Sequence, residues 1–204
     1  MSIAEKLQII AENTQKVYEQ GMIDAPANEE NVFLKSIVEN TISGEIVLPE
    51  NFKVGSNGFA YRTGITKLTV PYSCNIGAYG FRYCSNLTEL DWYKAQTVGG
   101  SFHMCSKLHT IRFHNRFVWQ GNDIFASCSA IENLVFYSTC SCNNNTSCNL
   151  SWATNLTVES MLNLFNAMET ATSTNAVIKL GSTNLAKLTE EQKAIAINKN
   201  FALA

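Results

Sequence analysis

Four phenylalanines in the middle of the chain each begin the same order of apolar and polar positions. The four are Phe59, Phe81, Phe102 and Phe125, and their spacings are 22, 21 and 23 residues. Apolar residues follow each one at the sixth, ninth and eleventh positions, as Leu87, Leu90 and Trp92 do after Phe81. A unit this short cannot bury its apolar side chains alone, so neighbouring units must stack on one another to form a core.

This repeat predicts an α/β solenoid over residues 44–137, built from short strands joined by turns. A unit of about 20 to 29 residues with this order of apolar positions is typical of a leucine-rich repeat. Glycines recur just before the phenylalanines, where we expect them to provide the positive φ of a sharp turn. They are Gly55, Gly58, Gly77, Gly80, Gly99 and Gly100.

Alternation along each strand predicts which side chains face outward. If Leu90 and Trp92 point into the core, Asp91 and Tyr93 point away from it. The corresponding outward positions of later repeats bring polar and aromatic residues together, namely Asp91, Tyr93, Arg112, His114 and Tyr137. Such a set has the composition of a recognition patch. The alternative is an ordinary solvated sheet face whose aromatic residues support strand pairing.

The segment before the repeats, residues 1–43, reads as helical. Apolar residues at Ile3, Leu7, Ile10 and Val17 follow heptad spacing within a helix over residues 2–20, and residues 29–40 favour a second helix. Such a seam packs either on its own domain or against copies of itself. The sequence therefore predicts an attachment or cap segment, and we expect a homo-oligomer, with a trimer favoured.

The segments after the repeats differ in composition. Residues 138–155 read as a polar loop rich in Cys and Asn, and residues 156–204 read as an α/β cap. In the cap, Thr157 precedes an amphipathic helix, residues 176–181 read as a strand, and residues 201–204 could form a final strand. Thr189 and Gln192 form a capping box for the last helix. Such a unit would cover the open end of the stack.

The chain has seven cysteines, an odd number that favours reduced thiols over a disulfide framework. Three of them, Cys84, Cys105 and Cys128, lie three residues after a repeat phenylalanine and should form a buried column. The other cluster, Cys140, Cys142 and Cys148, offers three thiols without a nearby histidine, whereas structural zinc takes four ligands. We therefore expect incidental thiols in a flexible loop and no metal.

Charge and motifs exclude several classes of function. Fifteen Lys and Arg against 17 Asp and Glu, without clustering, give no electrostatic signal for nucleic acid or an anionic membrane. No apolar signal segment or membrane span is evident, so we expect synthesis in the cytoplasm. His103 and Cys105 could form a nucleophilic pair, but Cys105 belongs to the thiol column. We expect a protein without enzymatic activity, metal or cofactor.

The run at residues 76–90 resembles the BspA-type leucine-rich repeat, with its Ile, Phe, Cys and Leu positions in order, and the resemblance covers residues 54–137. Residues 1–7, 10–13, 16–18 and 180–189 resemble the ends of phage and prophage tail-region proteins. The resemblances imply a virion structural protein, tail-associated or virion-exposed, that displays a protein- or glycan-binding face. Its partners would be virion proteins or a host cell-surface protein or glycan. The alternative is a bacterial cell-surface adhesin.

Overall fold

A computed structural model describes residues 42–93, 99–119, 123–142, 147–173 and 175–204. The strands of this part are β1 Gly44–Val47, β2 Lys53–Val54, β3 Ile65–Val70, β4 Asn75–Ile76, β5 Glu89–Trp92, β6 Thr110–Phe113, β7 Phe117–Trp119, β8 Asn133–Phe136, β9 Cys140–Cys142, β10 Cys148–Asn149, β11 Val177–Lys179 and β12 Ala202–Leu203. Its helices are α1 Val158–Ala167, α2 Gly181–Leu185 and α3 Glu190–Ile197.

The main sheet has five parallel strands in the order β1-β3-β5-β6-β8. Each strand pairs with the same position of the next repeat, as Leu90 pairs with Leu68 on one side and with Ile111 on the other. This is a solenoid-like repeat fold. The predicted alternation is confirmed, because Leu90 and Trp92 are at most 1% exposed while Asp91 lies on the outer face.

The repeat phenylalanines form one continuous stack through the core. Phe81 lies 5.2 Å from Phe59 and 5.5 Å from Phe102 between ring centroids, and Phe102 lies 5.6 Å from Phe125. Phe81 and Phe102 are completely buried, and Trp92 meets Phe102 edge-on. Each ring therefore packs against rings of the coils before and after it, so the core is shared between coils.

A left-handed backbone conformation recurs two residues after each repeat phenylalanine. The residues are Tyr61, Tyr83, Met104 and Ser127, with φ between 59° and 65°. This conformation accompanies a hydrogen bond between neighbouring coils, because the Tyr61 amide donates to the Arg82 carbonyl at 2.8 Å and the Tyr83 amide to the His103 carbonyl at 2.9 Å. The turns of adjacent coils are thereby joined.

The glycine prediction is wrong at five of its six positions. Only Gly100, with φ 70°, adopts positive φ; Gly55, Gly58, Gly77, Gly80 and Gly99 do not. Some of them are needed for space instead. A Cβ on Gly77 would lie 2.7 Å from the Ser56 nitrogen of the preceding coil, and one on Gly80 would lie 2.9 Å from the Ile76 side chain. At Gly77 the coils approach too closely for a side chain.

Helix α1 packs along β8, where the next strand of the main sheet would lie. Ser160 connects the two, because its Oγ accepts the Leu134 amide at 3.0 Å and donates to the Glu132 carbonyl at 2.7 Å. The Thr157 side chain caps the helix N-terminus by accepting the Ser160 amide. The predicted helix after Thr157 is confirmed, and its side chains pair with backbone groups at the sheet edge.

The remaining predicted elements of the C-terminal segment are also confirmed. Strands β10, β11 and β12 form a parallel sheet, and α3 begins at the Thr189–Gln192 capping box. Helix α2 was not predicted. Lys199 joins the segment to α1, because its Nζ donates to three carbonyls at the end of that helix, those of Phe165, Asn166 and Met168. A cation at a helix C-terminus is favoured by the helix dipole.

The predicted loop at residues 138–155 contains two short strands. Within the predicted loop at 138–155, β9 pairs with β7 and β10 pairs with β11, and Cys140 and Cys148 are buried. Part of this segment is thus ordered core, because its cysteines and Leu150 supply the apolar side chains that the polar composition obscured. The predicted helical seam at Ile3, Leu7, Ile10 and Val17 lies outside the described residues, and so does the helix predicted for residues 29–40.

An ion pair links the end of α1 to the repeats and gives a testable pH dependence. Arg116 contacts both carboxylate oxygens of Glu169 at 2.6 Å, and the Thr139 hydroxyl donates to Glu169 at 2.8 Å. These bonds, the one from Arg116 first, lower the pKa of Glu169 to about 2. A lowered pKa means that the stabilisation is complete above the ordinary pKa of about 4.5 and is lost as the pH falls toward 2.

We expect Glu169→Gln to reduce the free energy of unfolding at pH 7 by about 1 kcal/mol or less, since solvent screens this pair. Urea denaturation between pH 7 and pH 2.5 measures the effect, and the variant should lose less stability than the wild type over the acid part of this range. The control is Glu45→Gln, because Glu45 makes only a loose contact with Lys67 at 3.7 Å. Identical pH profiles for wild type and Glu169→Gln would refute the assignment.

Candidate functional site

Three aromatic side chains stack on the outer face of the main sheet. Tyr93, His114 and Tyr137 follow β5, β6 and β8 at equivalent positions. The rings of Tyr93 and His114 are 4.0 Å apart and 4° from parallel, and those of His114 and Tyr137 are 4.8 Å apart and 19° from parallel. The His114 ring has a tyrosine ring on each face, whereas Tyr137 at the end of the stack is 62% exposed.

Charged side chains hold this stack from one side. His114 Nε2 lies 3.0 Å from the Asp91 carboxylate, and Arg112 lies 2.8 Å from Glu89 and 3.8 Å from Asp91. The hydrogen bond with Glu89, followed by the charges of Asp91 and Glu89, raises the pKa of Arg112 above its ordinary value. These contacts fix the orientation of His114 and of the Arg112 guanidinium.

The structure brings all five predicted site residues onto one surface, which we call the ladder face: Asp91, Tyr93, Arg112, His114 and Tyr137. Glu89 also belongs beside it and was missed, although it lies two residues before Asp91 and the same alternation would have placed it there. Rings already fixed by stacking lose little freedom on binding. The same contacts also support strand pairing, so the role of the ladder face in binding stays a prediction.

A second group of aromatic and basic side chains, which we call the turn cluster, was not predicted. It consists of Tyr61, Tyr79, Arg82, Tyr83 and His103, all near the left-handed turns. Tyr61 and Tyr83 stack at 4.8 Å and 11°. The Arg82 guanidinium lies 5.5 Å from the Tyr79 ring centroid and 4.8 Å from that of Tyr83. The sequence signal was the recurrence of tyrosine two residues after Phe59 and Phe81.

The backbone of the turn cluster is left-handed at two tyrosines. A left-handed conformation costs a residue with a side chain about 1 to 2 kcal/mol, and both Tyr61 and Tyr83 adopt it. One aromatic pair contributes about 0.5 to 1.5 kcal/mol beyond the burial of its area. Glycine or asparagine would adopt this turn at lower cost.

The predicted thiol column is confirmed, and none of the seven cysteines forms a disulfide bond. Each column thiol donates to the phenylalanine carbonyl of the preceding coil, from Cys84 to Phe59 at 3.3 Å, from Cys105 to Phe81 at 3.2 Å and from Cys128 to Phe102 at 3.0 Å. Burial raises the pKa of Cys84 to about 12. A thiol with so high a pKa is a poor nucleophile near neutral pH.

The thiols of Cys140, Cys142 and Cys148 also have raised pKa values. Desolvation raises the pKa of Cys140 to about 12 and that of Cys142 to about 11, and it also raises that of Cys148.

Within the described ranges, no three His, Cys, Asp or Glu side chains are grouped as a metal would require. In the same ranges, no helix has the length and apolar character to cross a lipid bilayer.

The stacked coils, the phenylalanine column and the parallel sheet together define a leucine-rich-repeat protein. The family model described as BspA type leucine rich repeat region (6 copies) matches residues 52–169, and the chain belongs to this family. The match extends beyond residues 54–137 at both ends, into the segment that contains β9, β10 and α1. Comparison with curated proteins and with solved structures gives no match. Membership supports a role in protein interaction or adhesion, and such repeat families are typically non-enzymatic.

Proposed function

We propose that this protein acts by binding, without catalysis, and that the ladder face is the surface that recognises a protein or a glycan. The observation that carries the proposal is the fixed stack of Tyr93, His114 and Tyr137 beside Asp91 and Arg112. Aromatic and arginine side chains dominate the energy of binding surfaces. Here they lie on a rigid sheet, so their order is established before a partner arrives.

The geometry also suggests how a partner would use this face. Because both faces of the His114 ring are covered, it offers its edge and polar atoms, whereas Tyr137 offers an open ring face at one end. A partner would therefore place a flat apolar group against Tyr137 and hydrogen-bonding groups along the ring edges. The charged pairs at Asp91 and Arg112 would set its direction.

The test compares binding by the wild type with binding by the triple variant Tyr93→Ala, Arg112→Ala, Tyr137→Ala. Labelled protein is applied to a glycan microarray and to intact bacterial cells. We expect the triple variant to lose binding while its melting temperature changes little, because Tyr137 and part of Arg112 are exposed. The control Trp152→Ala removes a 50% exposed aromatic residue in the C-terminal segment and should bind as the wild type does. If the triple variant bound as well as the wild type, the ladder face would support strand pairing only and would not be the binding surface.

We place this binding activity on a phage or prophage particle, as a tail-associated or otherwise virion-exposed structural protein with virion proteins or a host surface as partners. The support is the sequence interpretation that residues 1–7, 10–13, 16–18 and 180–189 resemble the ends of phage tail-region proteins. The alternative is a bacterial cell-surface leucine-rich repeat adhesin, with which the family is equally compatible. Mass spectrometry of purified particles separates the two, because only a virion protein would copurify with the particle.

We further propose a homo-oligomer, most simply a trimer, formed through the seam of Ile3, Leu7, Ile10 and Val17. Two to three heptads are marginal alone in water, so association should rise with concentration. Deleting residues 1–21 is expected to give a folded monomer by light scattering. A full-length protein that is strictly monomeric at high concentration would contradict this proposal and favour a helix that only caps the repeats.

A further inference from the structure

The turn cluster is a surface distinct from the ladder face. In every repeat the left-handed turn position comes ten residues before the ladder position, as Tyr83 comes before Tyr93. Hydrogen bonds between coils hold the turns in place, including those from the Tyr61 and Tyr83 amides. Tyr61 is 62% exposed and Tyr79 is 42% exposed, so ring surface is open to solvent on this rigid base.

The turn conformation itself does not require tyrosine. Met104 and Ser127 adopt the same left-handed φ in later repeats, so the conformation belongs to the repeat and not to the side chain. The chain nevertheless places tyrosine there in two adjacent coils, where asparagine would adopt the turn at lower cost. Tyrosine is enriched at binding surfaces, where its ring supplies contact area.

The first three repeat turns contain basic but no acidic residues, whereas the equivalent turn of the fourth repeat contains Asp123. Residues 58–63, 79–86 and 101–107 contain Arg62, Arg82, His103 and Lys107 but no aspartate or glutamate, although the whole chain carries a net charge of −2. Arg82 lies against the rings of Tyr79 and Tyr83, and His103 meets both rings edge-on. The cluster therefore combines open ring faces with nearby positive charge.

We infer that the turn cluster binds a carboxylated polysaccharide, with sugar rings against Tyr61 and Tyr79 and a carboxylate beside Arg82. The C–H face of a sugar carries slight positive charge and packs on the negative face of an aromatic ring, and a guanidinium pairs with a carboxylate. The other ligand with rings and negative charge is single-stranded nucleic acid. It needs a basic groove that follows many phosphates, whereas among the described residues the cation–ring contacts of this cluster are made by Arg82 alone.

The decisive variant is Tyr61→Asn, because asparagine tolerates the left-handed turn better than tyrosine does. If Tyr61 served only the fold, this variant would be less stable through loss of the stack. If it serves binding, stability should stay equal or rise while affinity falls. Arg82→Gln tests the charge, and Trp152→Ala is again the control.

Calorimetric titration of the full-length protein would use oligogalacturonate as the acidic probe, with dextran as the neutral probe and oligothymidine as the nucleic acid. We expect oligogalacturonate to bind more weakly as salt rises, and Tyr61→Asn and Arg82→Gln to reduce its affinity roughly tenfold, with Trp152→Ala unchanged. Four results would overturn the inference: no binding of oligogalacturonate, equal binding of dextran, tighter binding of oligothymidine, or wild-type affinity in Tyr61→Asn.

Discussion

Phe81→Ala is expected to lower the free energy of unfolding by about 3 to 5 kcal/mol, the usual cost of truncating a buried phenylalanine. Phe81 is completely buried and its ring lies between those of Phe59 and Phe102, so the cavity would open in the centre of the stack. Because neighbouring coils share this core, unfolding should be one cooperative transition shifted to lower denaturant. Chemical denaturation followed by circular dichroism measures the change.

A matched control is Val47→Ala on the edge strand β1. Val47 is 65% exposed, so truncation should change stability by no more than about 0.5 kcal/mol. Phe102→Ala should behave like Phe81→Ala, since Phe102 occupies the equivalent position in the next coil. If both phenylalanine variants unfolded at the same denaturant concentration as the wild type, the coils would not share a core.

Ser160→Ala should have the next largest effect, a loss of about 1 to 3 kcal/mol. The Ser160 hydroxyl is the hydrogen-bond partner of the Leu134 amide and also contacts the Glu132 carbonyl, both on or beside the last strand of the main sheet. Removing it leaves the buried Leu134 amide without a partner, whereas the Glu132 carbonyl still accepts the Thr157 amide at 3.1 Å. The loss is measured by urea denaturation.

Hydrogen exchange adds a local measurement to this experiment. The Leu134 amide should exchange faster in Ser160→Ala, whereas the Leu90 amide in the middle of the sheet should change only with global stability. Ser182→Ala, an exposed serine in α2, is the control and should leave both unchanged. Unaltered protection at Leu134 would mean that α1 does not cover the sheet edge through Ser160.

The repeats could be predicted from the sequence because their apolar positions recur in fixed order. Once Phe81, Leu90 and Trp92 are aligned with their counterparts, burial and strand alternation follow from elementary geometry. Local signals also identified α1 and α3, through the caps at Thr157 and Thr189. The strands at 138–155 were missed because their few apolar residues are separated by polar ones, and strand pairing there depends on partners distant in sequence.

The two candidate surfaces differ in how far the sequence revealed them. The ladder face followed from alternation, since each of its residues occupies an outward strand position. The turn cluster could be recognised only from the backbone φ angles. The recurrence of tyrosine after Phe59 and Phe81 does not by itself show that Tyr61 or Tyr83 is left-handed. Glycine was the expected carrier of positive φ, but most of the glycines near the turns do not adopt it, and at Gly77 the smallest side chain instead allows two coils to approach.

The left-handed turn is occupied by Tyr61, Tyr83, Met104 and Ser127 with nearly the same φ. A phenol, a thioether and a hydroxyl thus occupy one unchanging backbone conformation, and at Tyr61, Tyr83 and Met104 it is held by a hydrogen bond from the amide to the neighbouring coil. At such a position, an exchange of side chain alters the chemistry shown to solvent while the coil keeps its path. If this surface binds a ligand as proposed, point mutations there would change the ligand preference of the protein in single steps, because each variant would still fold.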